Sequence, residues 1–367
     1  MKNKVFAILA SLAIITAACS TPTHPGETNT TSASQDTQNT AAETKPKETE
    51  KPALPDPRSL KGLSVVPDIA DPTPISGDFK QTLPVNLTDF ENNTVTVTDT
   101  SRILALDLSG TLSRTVIALG YGDKLVGRTV SSTETRLKDL PVVTENGHTL
   151  NVEAVLNLKP TVIVADRSVG PPEALDQLRA AGIPVVLVDP KRGIDQNDAL
   201  IKSVSKALGV PEAGDALAKR TKEETDAALA QIKEWVPAKP LEASFLYVRG
   251  TGGVFFILGS DEGATELLTG VGAKDLATAN GLTGVTPANA EALVALNPEV
   301  IFTMSGGLES TEGLAGLMAR PGVAETRAGK NQRVIAIPDG LSLSFGPQTG
   351  ETLLAVAKAL YGVETGK

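Results

Sequence analysis

A fourteen-residue stretch that occurs twice decides the fold: NVEAVLNLKPTVIV at residues 151–164 and NAEALVALNPEVIF at residues 289–302. Seven of the fourteen positions are identical, and the copies lie 138 residues apart. In each copy an asparagine can cap a helix, a glutamate follows in the first turn, and a proline ends the helix before a β-branched run. This spacing is too long for a solenoid repeat, so the pattern predicts a duplicated α/β domain.

Short apolar runs alternate with helical patterns on both sides of the repeat, which is typical of mostly parallel sheets. The predicted strands lie at residues 103–106, 161–165, 184–188, 244–248, 300–303 and 334–337. The predicted helices lie at residues 111–119, 173–181, 263–269, 289–296 and 348–360. The predicted fold class is therefore α/β, with two lobes.

One long helix is predicted to join the two lobes. The stretch from Pro211 to Val236 is rich in Ala, Leu, Glu, Lys and Asp and has no interior proline. Proline suits the first turn of a helix, and Pro237 and Pro240 would end it. We therefore assign the N-terminal lobe to residues 94–210, the spanning helix to residues 211–239 and the C-terminal lobe to residues 240–367.

The first eighteen residues have the features of an export signal, with Lys2 and Lys4 ahead of an apolar run too short to span a bilayer. The only cysteine, Cys19, follows three small residues, as in a bacterial lipobox. We therefore expect an exported protein anchored by lipid on Cys19 to the outer face of the cytoplasmic membrane. The alternative is an ordinary secretory signal with an incidental cysteine. Residues 19–93 are predicted to form a flexible stalk, because residues 20–58 contain no aromatic side chain.

Composition and motifs exclude several classes of function. The net charge of −9 argues against a nucleic-acid partner, which would require a basic surface. We find no nucleophile elbow, phosphate-binding loop or paired catalytic residues, so the chain is not predicted to be an enzyme. A bare zinc or manganese site is disfavoured because His148 is the only histidine outside the predicted stalk.

Two residues of rare types are expected at the mouths of the two lobes. His148 lies in a predicted turn just before the first copy of the repeat, and Tyr247 lies near the end of the first strand of the second lobe. Ligands of open α/β sheets bind beyond the carboxyl ends of the strands. Arg249 is two residues farther along the strand, so it should project to the same face as Tyr247. The alternative roles are a surface turn histidine, a half-buried tyrosine and an arginine in a surface pair with a carboxylate, which contributes little.

The chain resembles the class III (cluster A-II) substrate-binding lipoproteins of ABC importers. The resemblance is carried by the duplicated element, the spanning helix, RILAL at residues 102–106 and ALGYGDKLVG at residues 118–127, and it extends over residues 95–363. The family carries heme, cobalamin or iron siderophores. The resemblance implies an ABC permease with its ATPase and upstream heme-binding surface proteins as partners.

Ferric heme is the favoured ligand, because histidine nitrogen and tyrosine phenolate are both axial ligands of heme iron. Arginine beside a phenolate favours the anion. The spacing of His148, Tyr247 and Arg249 is similar to that in HmuT-type hemin-binding lipoproteins of actinobacterial heme importers. There a histidine and a tyrosine ligate the heme iron and an arginine supports the tyrosine. The resemblance implies the same roles here.

Further site residues are expected around this group. Phe255, Phe256, Leu341 and Phe345 are candidates for apolar walls against the porphyrin, with ordinary core packing as the alternative. The resemblance also implies permease docking through Glu173 and Glu309, which are 136 residues apart; the alternative is that both are first-turn helix acids.

Two other functions remain open. An iron-siderophore or cobalamin-binding lipoprotein would have the same fold, and a surface adhesin or co-receptor would have the same anchor.

Overall fold

The computed structural model of the protein describes residues 54–363, so the predicted export signal and Cys19 lie outside the described residues. These residues form two α/β lobes with mostly parallel sheets, and the predicted fold class is confirmed. No helix in this part of the chain is both long and apolar enough to cross a membrane.

The chain enters through a short strand, β1 (Leu63–Val65), and then forms the first lobe. Its elements are β2 (Val85–Thr88), β3 (Thr94–Val97), β4 (Ile103–Leu106), α1 (Thr111–Ala118), β5 (Thr144–Glu145), β6 (Thr149–Leu150), α2 (Val152–Asn157), β7 (Val162–Ala165), α3 (Pro172–Ala180), β8 (Val185–Leu187) and α4 (Asn197–Ala207). The central sheet is parallel in the order β4-β7-β8, and two hairpins, β2-β3 and β5-β6, flank it.

The second lobe follows a long helix, α5 (Pro211–Lys233). Its elements are β9 (Glu242–Arg249), β10 (Val254–Leu258), α6 (Ala264–Gly270), β11 (Lys274–Asp275), α7 (Leu276–Ala279), β12 (Val285–Pro287), α8 (Ala290–Leu296), β13 (Val300–Met304), α9 (Ser305–Ser310), α10 (Gly313–Met318), α11 (Arg327–Asn331), β14 (Val334–Ile337), α12 (Asp339–Ser342) and α13 (Thr349–Tyr361). The sheet order is β1-β14-β13-β9-β10-β12, with β11 also pairing with β9. Strand β10 runs antiparallel to both β9 and β12.

The repeat has the same local structure in both lobes. The side chain of Asn151 accepts a hydrogen bond from the Ala154 amide at 2.9 Å, and Asn289 accepts one from the Ala292 amide at 2.8 Å. Each capped helix, α2 or α8, leads into a strand of its sheet, β7 or β13, and both strands are largely buried. These strands are apolar except for Thr303, because layers of side chains cover both faces of the sheet.

Helix α5 packs against α4 of the first lobe and α13 of the second. It ends at Lys233, six residues before the boundary predicted at residue 239. The residue before a proline is biased away from helical backbone, so the segment ahead of Pro237 leaves the helix early. Trp235 then packs into the core of the second lobe.

The predicted stalk extended too far along the chain. Within it, Leu63–Val65 pairs in parallel with β14, Val66 is buried, and the Ile75 amide donates to the Ala118 carbonyl at 2.7 Å. The described residues 54–93 are therefore part of the folded body. Local composition did not predict that this segment is folded. The segment adds a strand and apolar side chains to structure formed by residues distant in the sequence, and it builds no core of its own. The rest of the predicted stalk lies outside the described residues.

Candidate ligand site between the lobes

Tyr247 lies where β9 extends beyond its parallel neighbour. The register between β13 and β9 ends at the pair Phe302 and Phe245, and β9 continues to Arg249 paired only with the antiparallel strand β10. Alternation along the strand places Tyr247 on the face of Phe245, where it is half-buried. Its side chain is therefore at the carboxyl end of the second sheet, where ligands of such sheets bind.

Arg249 contacts Tyr247, as the spacing predicted. Its Nε donates to the Tyr247 hydroxyl at 3.4 Å, and its guanidinium carbon lies 5.4 Å from the centre of the tyrosine ring. Burial lowers the pKa of the Arg249 guanidinium, but hydrogen bonds with Tyr247 and Asp339 outweigh this effect and leave the pKa raised. The arginine is therefore a permanent cation beside the phenol.

Asp339 completes this group and was missed by sequence reasoning. Its Oδ2 accepts from Arg249 at 2.5 Å, and its Oδ1 accepts from the Gly306 amide at 2.8 Å. Asp339 is the first residue of α12, just after β14, so it too lies at the carboxyl end of a parallel strand. Its place just after a predicted strand was the sequence signal that could have identified Asp339 as a site residue. Both side chains of this ion pair remain about one-third exposed, 34% for Arg249 and 31% for Asp339.

His148 lies in the turn between β5 and β6 and is exposed. The turn needs left-handed backbone at Asn146 (φ 49°) and Gly147 (φ 89°), which suits these residue types. The carbonyl of His148 accepts from the Gly170 amide at 2.9 Å, and Thr149 forms a bridge with Gly170. The backbone of the histidine is thus anchored while its imidazole is open to a ligand.

A series of contacts links Tyr247, Arg249 and Asp339 to the first lobe. Gly340, next to Asp339, packs so closely against Thr133 of the first lobe that it leaves no space for a Cβ atom. In the same first-lobe loop, the Val130 amide donates to Thr144 Oγ1 at 2.9 Å. Thr144 begins β5, the strand that leads into the histidine turn. The elements that carry His148 and Tyr247 are therefore linked through the contact between Gly340 and Thr133.

Direct hydrogen bonds also join the lobes. The Thr111 hydroxyl donates to the Ser344 carbonyl, and Arg114 donates to the side-chain oxygen of Gln348 at 2.7 Å. Arg114 is buried beside Glu134, with their nearest charged atoms 3.4 Å apart. Burial raises the pKa of Glu134, although the charge of Arg114 opposes this effect. These contacts make the junction between the lobes polar and well defined.

A second buried ionic cluster lies under the carboxyl ends of β4 and β7. Arg192 pairs with Asp166 and, at 3.5 Å, with Asp107. Burial raises the pKa of Asp166 to about 6. The three charged groups pair with one another within the first lobe. No group of three or more histidines, cysteines or carboxylates among the described residues could hold a metal ion.

Of the four predicted wall residues, only Phe256 keeps a partly exposed side chain. Phe256 is half-buried and paired in register with Tyr247, so the two side chains share a face. Phe255 points to the other face and is core, with 7% exposed. Leu341 and Phe345 are also core residues of the second lobe, at 1% and 6% exposed. The structure therefore packs these three side chains as core, the alternative role, because the alternation along β10 and the course of the chain through and after α12 decide their direction.

Exposed apolar side chains on the first lobe were missed. Leu108 follows β4 at its carboxyl end, and Val130 lies in the loop that reaches Thr144; both are 48% exposed. A groove of about 600 Å³ lies elsewhere, between β1 and α13, and none of the predicted ligand residues lines it. The predicted ligand residues therefore do not face that groove.

The two predicted docking acids are both exposed, but they are not equivalent in the helices. Glu173 lies in the first turn of α3, whereas Glu309 is the fifth residue of the six-residue helix α9. The interpretation of both as first-turn acids therefore fails for Glu309. A carboxylate near the C-terminal end of a helix gains nothing from the helix dipole.

Comparisons with known proteins identify the family. The model for periplasmic binding proteins matches residues 107–341. The uncharacterized ABC transporter substrate-binding lipoprotein YvrC of Bacillus subtilis (strain 168) is 30% identical over 285 residues, 77% of this chain and 87% of its own. The crystal structure of the heme binding protein HmuT is 52% identical, covers 84% of this chain and 100% of its own, and superposes with a TM-score of 0.82.

A more distant solved structure, the periplasmic heme-binding protein RhuT from Roseiflexus sp. RS-1, is 33% identical, with 72% of this chain and 99% of its own covered and a TM-score of 0.67. The solved structures of HmuT include alanine variants of one histidine, one tyrosine and one arginine. Successive residues in that set are separated by 99 and 2 positions, as are His148, Tyr247 and Arg249.

Proposed function

The chain belongs to the periplasmic binding protein family, and we propose that it captures ferric heme between its two lobes and delivers it to an ABC importer. The observation that carries the proposal is the Tyr247–Arg249–Asp339 group at the end of β9, with His148 on the other lobe. The 52% identity to a heme-binding protein over its whole length supports the same ligand. On this proposal the chain acts by binding and transfer, not by catalysis.

The two lobes supply different kinds of iron ligand. The neutral imidazole of His148 brings no charge, while Tyr247 binds as a phenolate and offsets part of the charge of Fe(III). Arg249 stabilises the phenolate by charge and by its hydrogen bond to the oxygen. Because the porphyrin would be held by one residue from each lobe, separation of the lobes would leave the iron with one axial ligand and so weaken heme binding.

Heme fits the described residues better than a bare metal ion does. A bare metal ion would need three or more ligating side chains, which the described residues do not bring together. A planar porphyrin instead needs two axial ligands and apolar surface, and Phe256, Leu108 and Val130 offer such surface. Cobalamin and ferric siderophores remain competitors within the same fold.

A visible-absorption titration tests the ligand. The purified protein should take up one hemin per chain with the Soret and charge-transfer bands of iron bound by imidazole and phenolate. Equal molar amounts of cobalamin or a ferric siderophore should leave that spectrum unchanged. Displacement of hemin by either competitor would show that heme is not the preferred cargo.

Arg249→Ala should weaken heme binding less than Tyr247→Ala does. A hydrogen bond to a charged group contributes about 1.5–3 kcal/mol, which is roughly a 10- to 150-fold change in affinity. Asp339→Asn should weaken binding by a smaller factor, because Asp339 acts through Arg249 and an asparagine can still accept from Gly306. Hemin transfer to apomyoglobin measures all three effects.

A double-mutant comparison separates positioning from folding at this group. Adding Asp339→Asn to Arg249→Ala should cause no further loss of heme affinity, since the arginine that Asp339 orients is already gone. Additive losses would mean that Asp339 acts independently of Arg249. The melting temperature of each variant controls for a general loss of structure.

We also propose that Glu173 and Glu309 contact arginines on the two permease subunits. Reversal of both to lysine should leave heme affinity unchanged and strongly reduce heme uptake by cells, because rim charges set encounter rate and register. Glu153→Lys together with Glu291→Lys is a matched control, since these acids occupy the first turns of the repeated helices. Normal uptake by the Glu173 and Glu309 double variant, at normal protein level, would reject the docking role.

We propose that Cys19 carries the lipid anchor, which places the heme site outside the cytoplasmic membrane. Cys19→Ala should move the protein from the membrane fraction to the culture medium, or leave it mis-sorted, and remove labelling by a fatty-acid probe. Heme binding by the purified variant should be unchanged, because Cys19 is not among the residues proposed to bind heme. A Cys19→Ala protein that stays in the membrane fraction without label would exclude this anchor.

A further inference from the structure

Residues 54–363 contain two Asn-Gly pairs, Asn146-Gly147 and Asn280-Gly281. All four residues are exposed, and both glycines have left-handed backbone, with φ 89° at Gly147 and 77° at Gly281. Neither glycine has an atom within 4 Å of the place where a Cβ would be. The two sites therefore have the same dipeptide sequence, are both exposed, and have the same open space around the glycine.

The two pairs differ in their hydrogen bonds. The side-chain amide of Asn280 donates to the Leu276 carbonyl at 2.8 Å, and the Gly281 amide donates to the Thr278 carbonyl at 2.9 Å. In the part of the chain that the structure describes, neither the side chain of Asn146 nor the amide of Gly147 makes a hydrogen bond. The nitrogen and the side-chain carbon of the first pair are thus free to approach each other.

We propose that Asn146 is a selective site of spontaneous deamidation in the folded protein, whereas Asn280 is protected. The backbone nitrogen of Gly147 attacks the Cγ atom of Asn146 and gives up its proton to solvent. The new C–N bond closes a succinimide as ammonia leaves. Water then opens either C–N bond of the ring, giving aspartate or isoaspartate, and nothing is oxidised or reduced.

The local structure explains why this attack is open at one site only. Glycine imposes no side chain on the attacking nitrogen and lets the turn reach backbone conformations that other residues avoid. The Asn146 turn joins two strands of only two residues each, so little structure resists its motion. At Asn280, an approach to the same geometry would break both hydrogen bonds.

The product would change the surroundings of a predicted iron ligand. Aspartate or isoaspartate adds a negative charge two residues before His148, and isoaspartate also lengthens the backbone by one carbon. The His148 carbonyl is held by the Gly170 amide, so a longer turn must displace the histidine or break that bond. This consequence rests on the proposed heme function; the modification itself does not.

Peptide mass spectrometry tests the modification without heme. Incubation of the native protein in neutral buffer at physiological temperature should convert Asn146 several-fold faster than Asn280, seen as the exchange of an amide NH₂ for OH. In concentrated urea the two rates should converge, because the same dipeptide is then free at both sites. Equal rates in the native protein, or faster conversion at Asn280, would overturn the proposal.

Two variants connect the modification to the ligand. Asn146→Gln should abolish conversion at this position, because the ring closure would need one more atom, while retaining the wild-type fold by circular dichroism. If the proposed function holds, aged wild-type protein should lose heme affinity and aged Asn146→Gln protein should not. Deamidation at Asn146 with unchanged heme affinity would reject the effect on His148 and leave the modification established.

Discussion

Simultaneous replacement of His148 by alanine and Tyr247 by phenylalanine is expected to abolish specific heme binding. Each single variant should retain one axial ligand and show shifted Soret and charge-transfer bands. Mutation of a group that hydrogen-bonds to a metal ligand typically lowers metal affinity by about 10- to 100-fold. Loss of both direct iron ligands should therefore lower heme affinity by more than this. Titration with hemin, followed by visible absorption, measures the effect.

Tyr121→Phe is the matched control for this experiment. Tyr121 is partly buried in the first lobe and has no predicted contact with the ligand, so its loss should leave the spectrum unchanged. Phenylalanine at position 247 keeps the aromatic packing beside Phe256 while removing the hydroxyl that Arg249 contacts. A double variant with the wild-type spectrum would show that other side chains bind the iron.

The second large effect is expected on stability. Glu134→Ala should lower the free energy of unfolding by about 3–5 kcal/mol, because it leaves the charge of Arg114 buried without its carboxylate partner. Both side chains are almost fully buried, with Arg114 3% and Glu134 0% exposed, and the guanidinium would keep its hydrogen bond to Gln348. Urea unfolding followed by circular dichroism measures the loss.

An exposed ion pair provides the control. Glu91→Ala removes the partner of Arg167, where both side chains are about one-third exposed, and should cost no more than about 1 kcal/mol. Replacement of both buried partners, as Arg114→Met with Glu134→Leu, should recover much of the lost stability, because no unpaired charge remains. A loss from Glu134→Ala as small as that from Glu91→Ala would mean that water reaches the Arg114 site.

Much of the architecture could be predicted because the repeat is a local signal. Asn151 and Asn289 cap their helices through side-chain oxygens, and the strands at residues 103–106 and 334–337 have the predicted bounds. Helix capping and the apolar runs of buried parallel strands are patterns of residues that are close together in sequence. The hydrogen bond between Arg249 and Tyr247 was predictable for the same reason, since alternate residues of a strand share a face.

Contacts between distant residues could not be predicted in this way. Asp339 contacts Arg249 across 90 positions, and β1 completes a sheet whose neighbouring strand lies about 270 residues later. Phe255 and Phe256 have the same chemistry, but the register of β10 on β9 turns one into the core and leaves the other beside Tyr247.

The sequence by itself determined the two-lobe α/β fold, the asparagine caps of the two repeated helices, and the pairing of Tyr247 with Arg249. Only the tertiary structure decided that residues 54–93 belong to the body, that Asp339 holds Arg249, and that three of four candidate wall residues are core. The physical reason is that backbone preference is set by near neighbours. The direction and environment of a side chain are set by elements that meet only when the chain has folded.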